Sequence, residues 1–263
     1  MEDVITDIPP PSRFFHEDLN NFTPPSPTLP APFLVFSYPK PNPNITLCPS
    51  LLIIAISTPS INLLHHYLSS KSPIGTLMLP EISLSGNAIE PSPKDKSCYI
   101  YALEDDNSII VISLQFCVAA ERSHAVAKLL IEGEGKIRPE RVLILDSVQS
   151  RNFRSKLPPD EELAFKLETT AALTEEQQVL GALIRGLGFL PSGSLMDGLG
   201  AALLGRCQLR RIKGTLCVTW PESGAPAVSL VKSLLKDVLP SLEHLSVSHV
   251  DDSVSHLDSE LYT

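Results

Sequence analysis

Residues 108–145 constrain the fold most, because a β-branched run, a helical repeat and a second apolar run follow one another there. Ile109, Ile110, Val111 and Ile112 offer no polar face to water, which suits a strand covered on both sides. From Val118 the period changes. Val118, Ala125, Val126, Leu129 and Leu130 recur at helical spacing, and Gly133 stands where a helix needs a left-handed terminal residue. Arg138 and Pro139 then lead into Val142, Leu143, Ile144 and Leu145, a second buried strand. This strand, helix, strand unit predicts an α/β fold with a mostly parallel central sheet and helices on both faces. Such an architecture hosts many unrelated activities, so function has to be sought in particular residues.

The flanking segments extend the same pattern. Residues 33–36 and 51–56 predict strands. Residues 59–68 predict a short helix with Ile61, Leu64 and Leu68 on one side, and residues 74–79 a strand returning beside 51–56. Residues 80–96 are polar and proline-bearing and read as a loop. Residues 98–103 and 108–114 flank Glu104-Asp105-Asp106-Asn107, which predicts one antiparallel hairpin in the sheet. Leu163, Phe165 and Leu167 alternate as in a strand. Thr174 and Gln177 fit a capping box for a helix running through Val179, Leu183 and Leu187 to Gly188. A helix over 195–207, a strand over 213–220 and a helix over 228–238 with Val231, Leu234, Leu235 and Val238 inward complete the set.

Three segments are expected along the chain: a proline-rich arm over 1–32, an α/β domain over 33–245 and a polar tail over 246–263. Eleven of the 24 prolines fall within the first 43 residues, which forbids a regular ladder or helix there and predicts an extended or disordered arm. It reads as a solvated leader or, through Pro9, Pro10 and Pro11, as a ligand for a partner that binds polyproline. The tail is rich in Ser and Asp and is likewise expected to be disordered.

Charge and composition exclude whole classes. A net charge of -9 and an isoelectric point near 5.2 argue against nucleic acid and anionic membrane as partners, since both demand an excess of Lys and Arg. The longest apolar run, 51–56, is far short of the roughly 20 residues that span a bilayer. The five cysteines lack a C-x-x-C pair and sit mostly in apolar segments, which fits a reducing compartment. With Glu2, Asp3 and Asp7 at the start, no secretory or mitochondrial leader is expected, so the location is cytoplasmic or also nuclear.

No catalytic set, metal or cofactor is expected. Gly198-Leu199-Gly200 has two of the three glycines that a dinucleotide fingerprint needs, with Leu203 in the third place, and reads as helix packing. G-x-S-x-G is absent, and Gly193-Ser194 lacks the strand that would strain such a turn. His65 and His66 have no partner a turn away, and His244, His249 and His256 lie in the polar tail. Arg206, Arg210, Arg211 and Lys213 form a basic cluster in an acidic chain. It is a candidate interface for an acidic partner or a helix end that complements its own dipole.

The run from Gly198 through Leu204-Gly205-Arg206-Cys207-Gln208, followed by Lys213-Gly214-Thr215-Leu216-Cys217-Val218-Thr219-Trp220, resembles the proteasome assembly chaperone family, of the subunit-one type. Leu167-Glu168-Thr169 falls where that family has a strand. Leu261-Tyr262-Thr263 resembles the hydrophobic-Tyr-any tripeptide by which proteasome activators and assembly chaperones dock between neighbouring α-subunits. In such a pocket the Thr263 carboxylate would meet a lysine, Tyr262 would stack and hydrogen-bond, and Leu261 would fill an apolar notch. The resemblance implies a non-enzymatic chaperone that pairs with a second, related subunit, scaffolds the α-subunit ring and prevents off-pathway ring association. It also implies a fold akin to purine nucleoside phosphorylases without their catalytic residues. The alternative on that fold is a small-molecule enzyme of nucleoside phosphorylase or hydrolase type.

Overall fold

The computed structural model describes residues 30–36, 46–68, 71–85, 87, 92, 95–103, 108–131, 137–154, 156–158, 161–174, 180–240 and 242. The chain divides into two compact units, 1–30 and 31–263, and the fold below is that of the second. The arm up to residue 29 and the tail lie outside the described residues.

Nine strands form one sheet: β1 (Phe33–Phe36), β2 (Leu51–Ala55), β3 (Gly75–Met78), β4 (Cys98–Ala102), β5 (Ile109–Leu114), β6 (Arg141–Ser147), β7 (Leu163–Glu168), β8 (Gly188–Phe189) and β9 (Lys213–Trp220). Among the described residues the α-helices are α1 (Thr58–Leu68), α2 (Ala120–Leu130), α3 (Thr170–Leu173), α4 (Ala182–Gly186), α5 (Gly198–Arg210) and α6 (Ala225–Leu235). The strand order is β1-β3-β4-β5-β2-β6-β9-β7-β8.

The centre of the sheet, β5-β2-β6-β9, is parallel throughout. All five residues of β2 are buried, as expected of a strand whose two faces are both covered. Alternate residues of the central strands feed two separate cores. Leu52, Ile54, Ile110, Ile112, Val142 and Ile144 meet Val126 and Leu130 of α2 and Leu199 and Leu203 of α5. Leu51, Ile53, Val111, Leu143 and Leu145 meet Leu64 and Leu68 of α1, Ile184 of α4 and Val231 and Leu235 of α6. Helices therefore cover both faces, and the α/β reading stands.

The expected hairpin is present as β4 and β5, with Ala102 opposite Ile110. It is joined by three further antiparallel pairs, β1 with β3, β3 with β4 and β7 with β9. Two neighbour relations differ from the sequence reading. Residues 74–79 do return as a strand, yet β3 pairs with β1 and β4 and not with β2. Burial alternates along β3, which suits the outer part of the sheet, whereas the fully buried β2 takes inner neighbours on both sides. Likewise β5 and β6 are not adjacent, because β2 lies between them.

The helix expected from Val118 begins at Ala120 and ends against Ile131 in extended conformation; Gly133 lies outside the described residues. Thr174 caps the end of the short α3, residues 175–179 of the expected helix lie outside the described residues, and α4 is a single turn that stops before Leu187. Gly188, expected to end a helix, instead begins the two-residue β8. Asp237 holds α4 in place, its Oδ2 accepting the Ala182 N–H at 2.8 Å. Buried Lys166 holds the far end, donating to the Arg185 carbonyl at 2.8 Å with Glu168 Oε2 at 3.5 Å. Helix α5 starts three residues later than expected, at Gly198, and closes on Arg211 in the left-handed region at φ 56°.

Candidate functional site

The end of β2 is tied to the end of β6, for Leu145 O accepts the N–H groups of both Ile56 (2.9 Å) and Ser57 (3.3 Å). Helix α1 begins at the next residue. Helix α5 begins nearby at Gly198, with Asp197 at the N-cap position making no side-chain hydrogen bond to the helix. Between these two helix starts and the carboxyl ends of β2, β5 and β6 lies a half-open cavity of about 380 Å³. This is where open α/β sheets place their ligands, since strands that leave in different directions open a crevice.

The walls are mixed. Ile56, Ile61, Phe116, Val118, Met196 and Leu199 supply apolar surface, and Gln115, Asp146, Asn152 and Asp197 supply polar groups. Asp146 ends the apolar run of β6. Burial pushes its carboxyl up to about 6; the Ser147 backbone N–H pulls it down in part, and the neighbouring charge of Asp197 raises it further. Its Oδ1 accepts the Ser147 N–H at 2.8 Å, and among the described residues no hydrogen bond reaches Oδ2. Gly200 lies against that oxygen, and any side chain there would run into it, so this glycine serves close packing as the sequence suggested. The Gln115 carboxamide oxygen is buried without a donor. Asp197 lies 3.7 Å from Arg151, both side chains mostly exposed.

Sequence reasoning did not find this site, because Gln115, Asp146 and Asp197 come from three distant segments. The available signals were a lone carboxylate closing the run 142–145 and an aspartate directly before Gly198-Leu199-Gly200.

The four basic residues are spread over the end of α5 and the start of β9. Arg206 is half-buried and its Nε donates to the Ile131 carbonyl at 3.3 Å, tying α5 to the end of α2. Arg210 and Arg211 are exposed on the last turn and its cap, and Lys213 opens β9. Beside them Leu209 is 73% exposed. Leu195 and Phe189 are also exposed, at 68% and 56%. Leu261, Tyr262 and Thr263 lie outside the described residues.

His65 and His66 sit on α1 with ring centroids 5.9 Å apart. Burial, then the neighbouring His66, lowers the His65 pKa, with Asp95 opposing. Among the described residues no three His, Cys, Asp or Glu side chains are grouped to hold a metal. All five cysteines are free thiols; Cys98, Cys207 and Cys217 are buried, and Cys48 and Cys117 are exposed. No described helix is long and apolar enough to cross a membrane.

No protein-family model matches the sequence, and no curated protein matches it. Solved structures do share its fold. Pyrococcus furiosus PbaA, an archaeal homolog of proteasome-assembly chaperone, superposes with a TM-score of 0.56 at 16% identity over 84% of this chain and 86% of its own. Pyrococcus furiosus PbaB, an archaeal proteasome activator, gives 0.55 at 16% identity over 86% and 95%. A Thermoplasma acidophilum protein of unknown function gives 0.55 at 16% identity over 78% and 82%. The class defined is thus an α/β fold shared with these archaeal proteins.

Proposed function

We propose that this chain is a non-enzymatic chaperone for assembly of the core proteasome, acting as a heterodimer with a second, related chaperone subunit. It holds α-subunits while their ring forms and prevents off-pathway ring association. The observation that carries this reading is the likeness of fold to PbaA and PbaB over more than four-fifths of both chains compared. The sequence around Gly198–Arg210 and the terminal Leu261-Tyr262-Thr263 support it independently of the fold.

In this reading the tripeptide docks between α-subunits through its free carboxylate, its tyrosine and its apolar first residue. The segment after Val250 is the tether and reaches about 40 Å when extended. Exposed Arg210 and Arg211, with Arg206 and Lys213 at their flank, form a candidate contact with an acidic partner surface. The free thiols fit a reducing location in the cytoplasm, the nucleus or both.

The strand-end cavity favours a second reading, a small-molecule enzyme of nucleoside phosphorylase or hydrolase type on the same fold. Against it, the described cavity wall holds no histidine or lysine to activate Cys117 or a serine. A pull-down from cytosol with full-length bait and with bait lacking residues 261–263, identified by mass spectrometry, separates the readings. The chaperone reading expects α-subunits and a second chaperone with the first bait and loss of the α-subunits with the second. Absence of both from the full-length sample rejects it.

A further inference from the structure

The cavity at the carboxyl ends of β2, β5 and β6 has a polar chemistry that selects among ligands. Of its carboxylate oxygens, Asp146 Oδ2 receives no hydrogen bond among the described residues. Asp197 adds a second carboxylate, and no Lys, Arg or His lines the described wall. A ligand with acceptors only would leave Asp146 Oδ2 as it is, whereas a ligand with an N–H donor would satisfy it.

Charge decides between an anion and a cation. The starts of α1 and α5 both open on the cavity, and each helix N-terminus carries about half a positive charge. Together they amount to about one charge against two carboxylates. Arg151 faces Asp197 from outside at 3.7 Å, with both side chains largely in solvent, so its field is screened and Asp146 keeps its own need for a counter-charge. A phosphate or carboxylate ligand would be pressed against the like charge of Asp146. An ammonium would not. The apolar walls of Ile56, Ile61, Val118, Met196 and Leu199 suit a short alkyl chain, and the cavity volume of about 380 Å³ lies in the range of small-molecule sites.

We infer that this cavity binds a small aliphatic amine, its ammonium group on Asp146 and its alkyl chain along the apolar wall between α1 and α5. The site is independent of the chaperone reading: it stands or falls whether or not the chain meets a proteasome. The other titratable groups on the described wall are Asp197 and Cys117, with Arg151 behind Asp197, so a fall in affinity as Asp146 gains its proton is read against a wall with no basic group of its own.

The test is calorimetric titration of the full chain at pH 7.5 and low salt with 1,4-diaminobutane, with 1,4-butanediol as the neutral analogue and with inorganic phosphate. The diamine should bind saturably, the diol at least about tenfold more weakly, and phosphate not at all. Asp146→Asn should weaken the diamine by about tenfold or more. Gln149→Lys brings a resident ammonium to the cavity wall and should weaken the diamine by competition while leaving Asp146 intact, which keeps the test decisive where the first variant does not fold. Equal affinity for diol and diamine, preference for phosphate, or a diamine affinity indifferent to both substitutions overturns the inference.

Discussion

The centre of the sheet and its two flanks obey different rules. Strands β5, β2, β6 and β9 run parallel under helices on both faces, and Ile53, Ile54, Val111, Ile112, Leu143 and Ile144 are fully buried. On one flank β1 exposes Phe33 and Val35, and on the other β8 exposes Phe189. Polar contacts add to the apolar layers at the periphery: Glu81 from the long loop pairs with Arg122 of α2, and Lys166 fastens α4 to β7. Stability is thus concentrated where the chain is apolar without interruption. Surfaces available to partners and ligands lie where that run stops, at the flanks and at the strand ends.

The largest expected effect is in the centre. Ile53 lies between Val111 and Leu143 with no exposed surface, so Ile53→Ala should cost about 4 kcal/mol, combining lost transfer energy with a cavity that rigid neighbours cannot close. Chemical denaturation at constant slope measures it, and a loss under about 1 kcal/mol would break the contrast drawn here.

Next comes the Arg122 pair. Its Nε lies 2.6 Å from Glu81 Oε1 and a second nitrogen 3.2 Å from Oε2, a two-pronged contact with both side chains largely out of water. Arg122→Ala strands the Glu81 carboxylate and should cost about 2 to 3 kcal/mol, and Glu81→Gln in the same background should recover part of it. If the double variant is no more stable than Arg122→Ala alone, the pair is not what holds the loop.

The strand-end cavity sharpens the comparison by going the other way. Asp146 carries a folded pKa near 6, above the ordinary value of 3.8, because burial disfavours its charge. Below about pH 4 it is protonated in both states and costs nothing. As the pH rises from about 4 to 6 the unfolded chain ionises first, so folding stability falls across that window and stays lower above it. Asp146→Asn should therefore stabilise the apo protein by about 2 kcal/mol at pH 7.5 and by nothing near pH 3.5. Thermal melts at the two pH values check it, and equal shifts at both would remove the electrostatic cause.

The smallest effects belong to the edges. Val35→Ala and Phe189→Ala should each change stability by less than about 0.5 to 1 kcal/mol, as partly exposed side chains with little to lose. A cost approaching that of Ile53→Ala would mean that these edges are covered by something in solution.

What the sequence made legible follows the same division. The central strands announce themselves as runs with no polar face, and the helices that cover them by apolar positions at helical spacing, so the α/β class and the β4–β5 hairpin were readable. Neighbour relations were not. Nothing local in residues 74–79 tells a strand that it will sit beyond β4 and β5, since strand order depends on which strands are buried on both faces. The capping pattern at Thr174 and Gln177 falls on a stretch of which residues 175–179 lie outside the described residues, while the single turn of α4 is held by Asp237 and Lys166, both distant in sequence. The strand-end cavity was unreadable for the same reason, its polar wall being assembled from segments separated by whole crossovers. That Arg206 spends its Nε on the end of α2 was not readable from the basic residues around it.

The central claim is that the chain meets proteasome α-subunits through its final tripeptide, and the most direct measurement keeps the whole chain and changes one charge. Binding of full-length protein to purified α-subunits should be compared between a free and an amidated C-terminus, with the partner chaperone present throughout. The account predicts that amidation weakens binding by about tenfold or more, the cost of a charge-assisted hydrogen bond, and leaves heterodimer formation unchanged. Equal binding by the two forms would contradict the docking role of Leu261-Tyr262-Thr263.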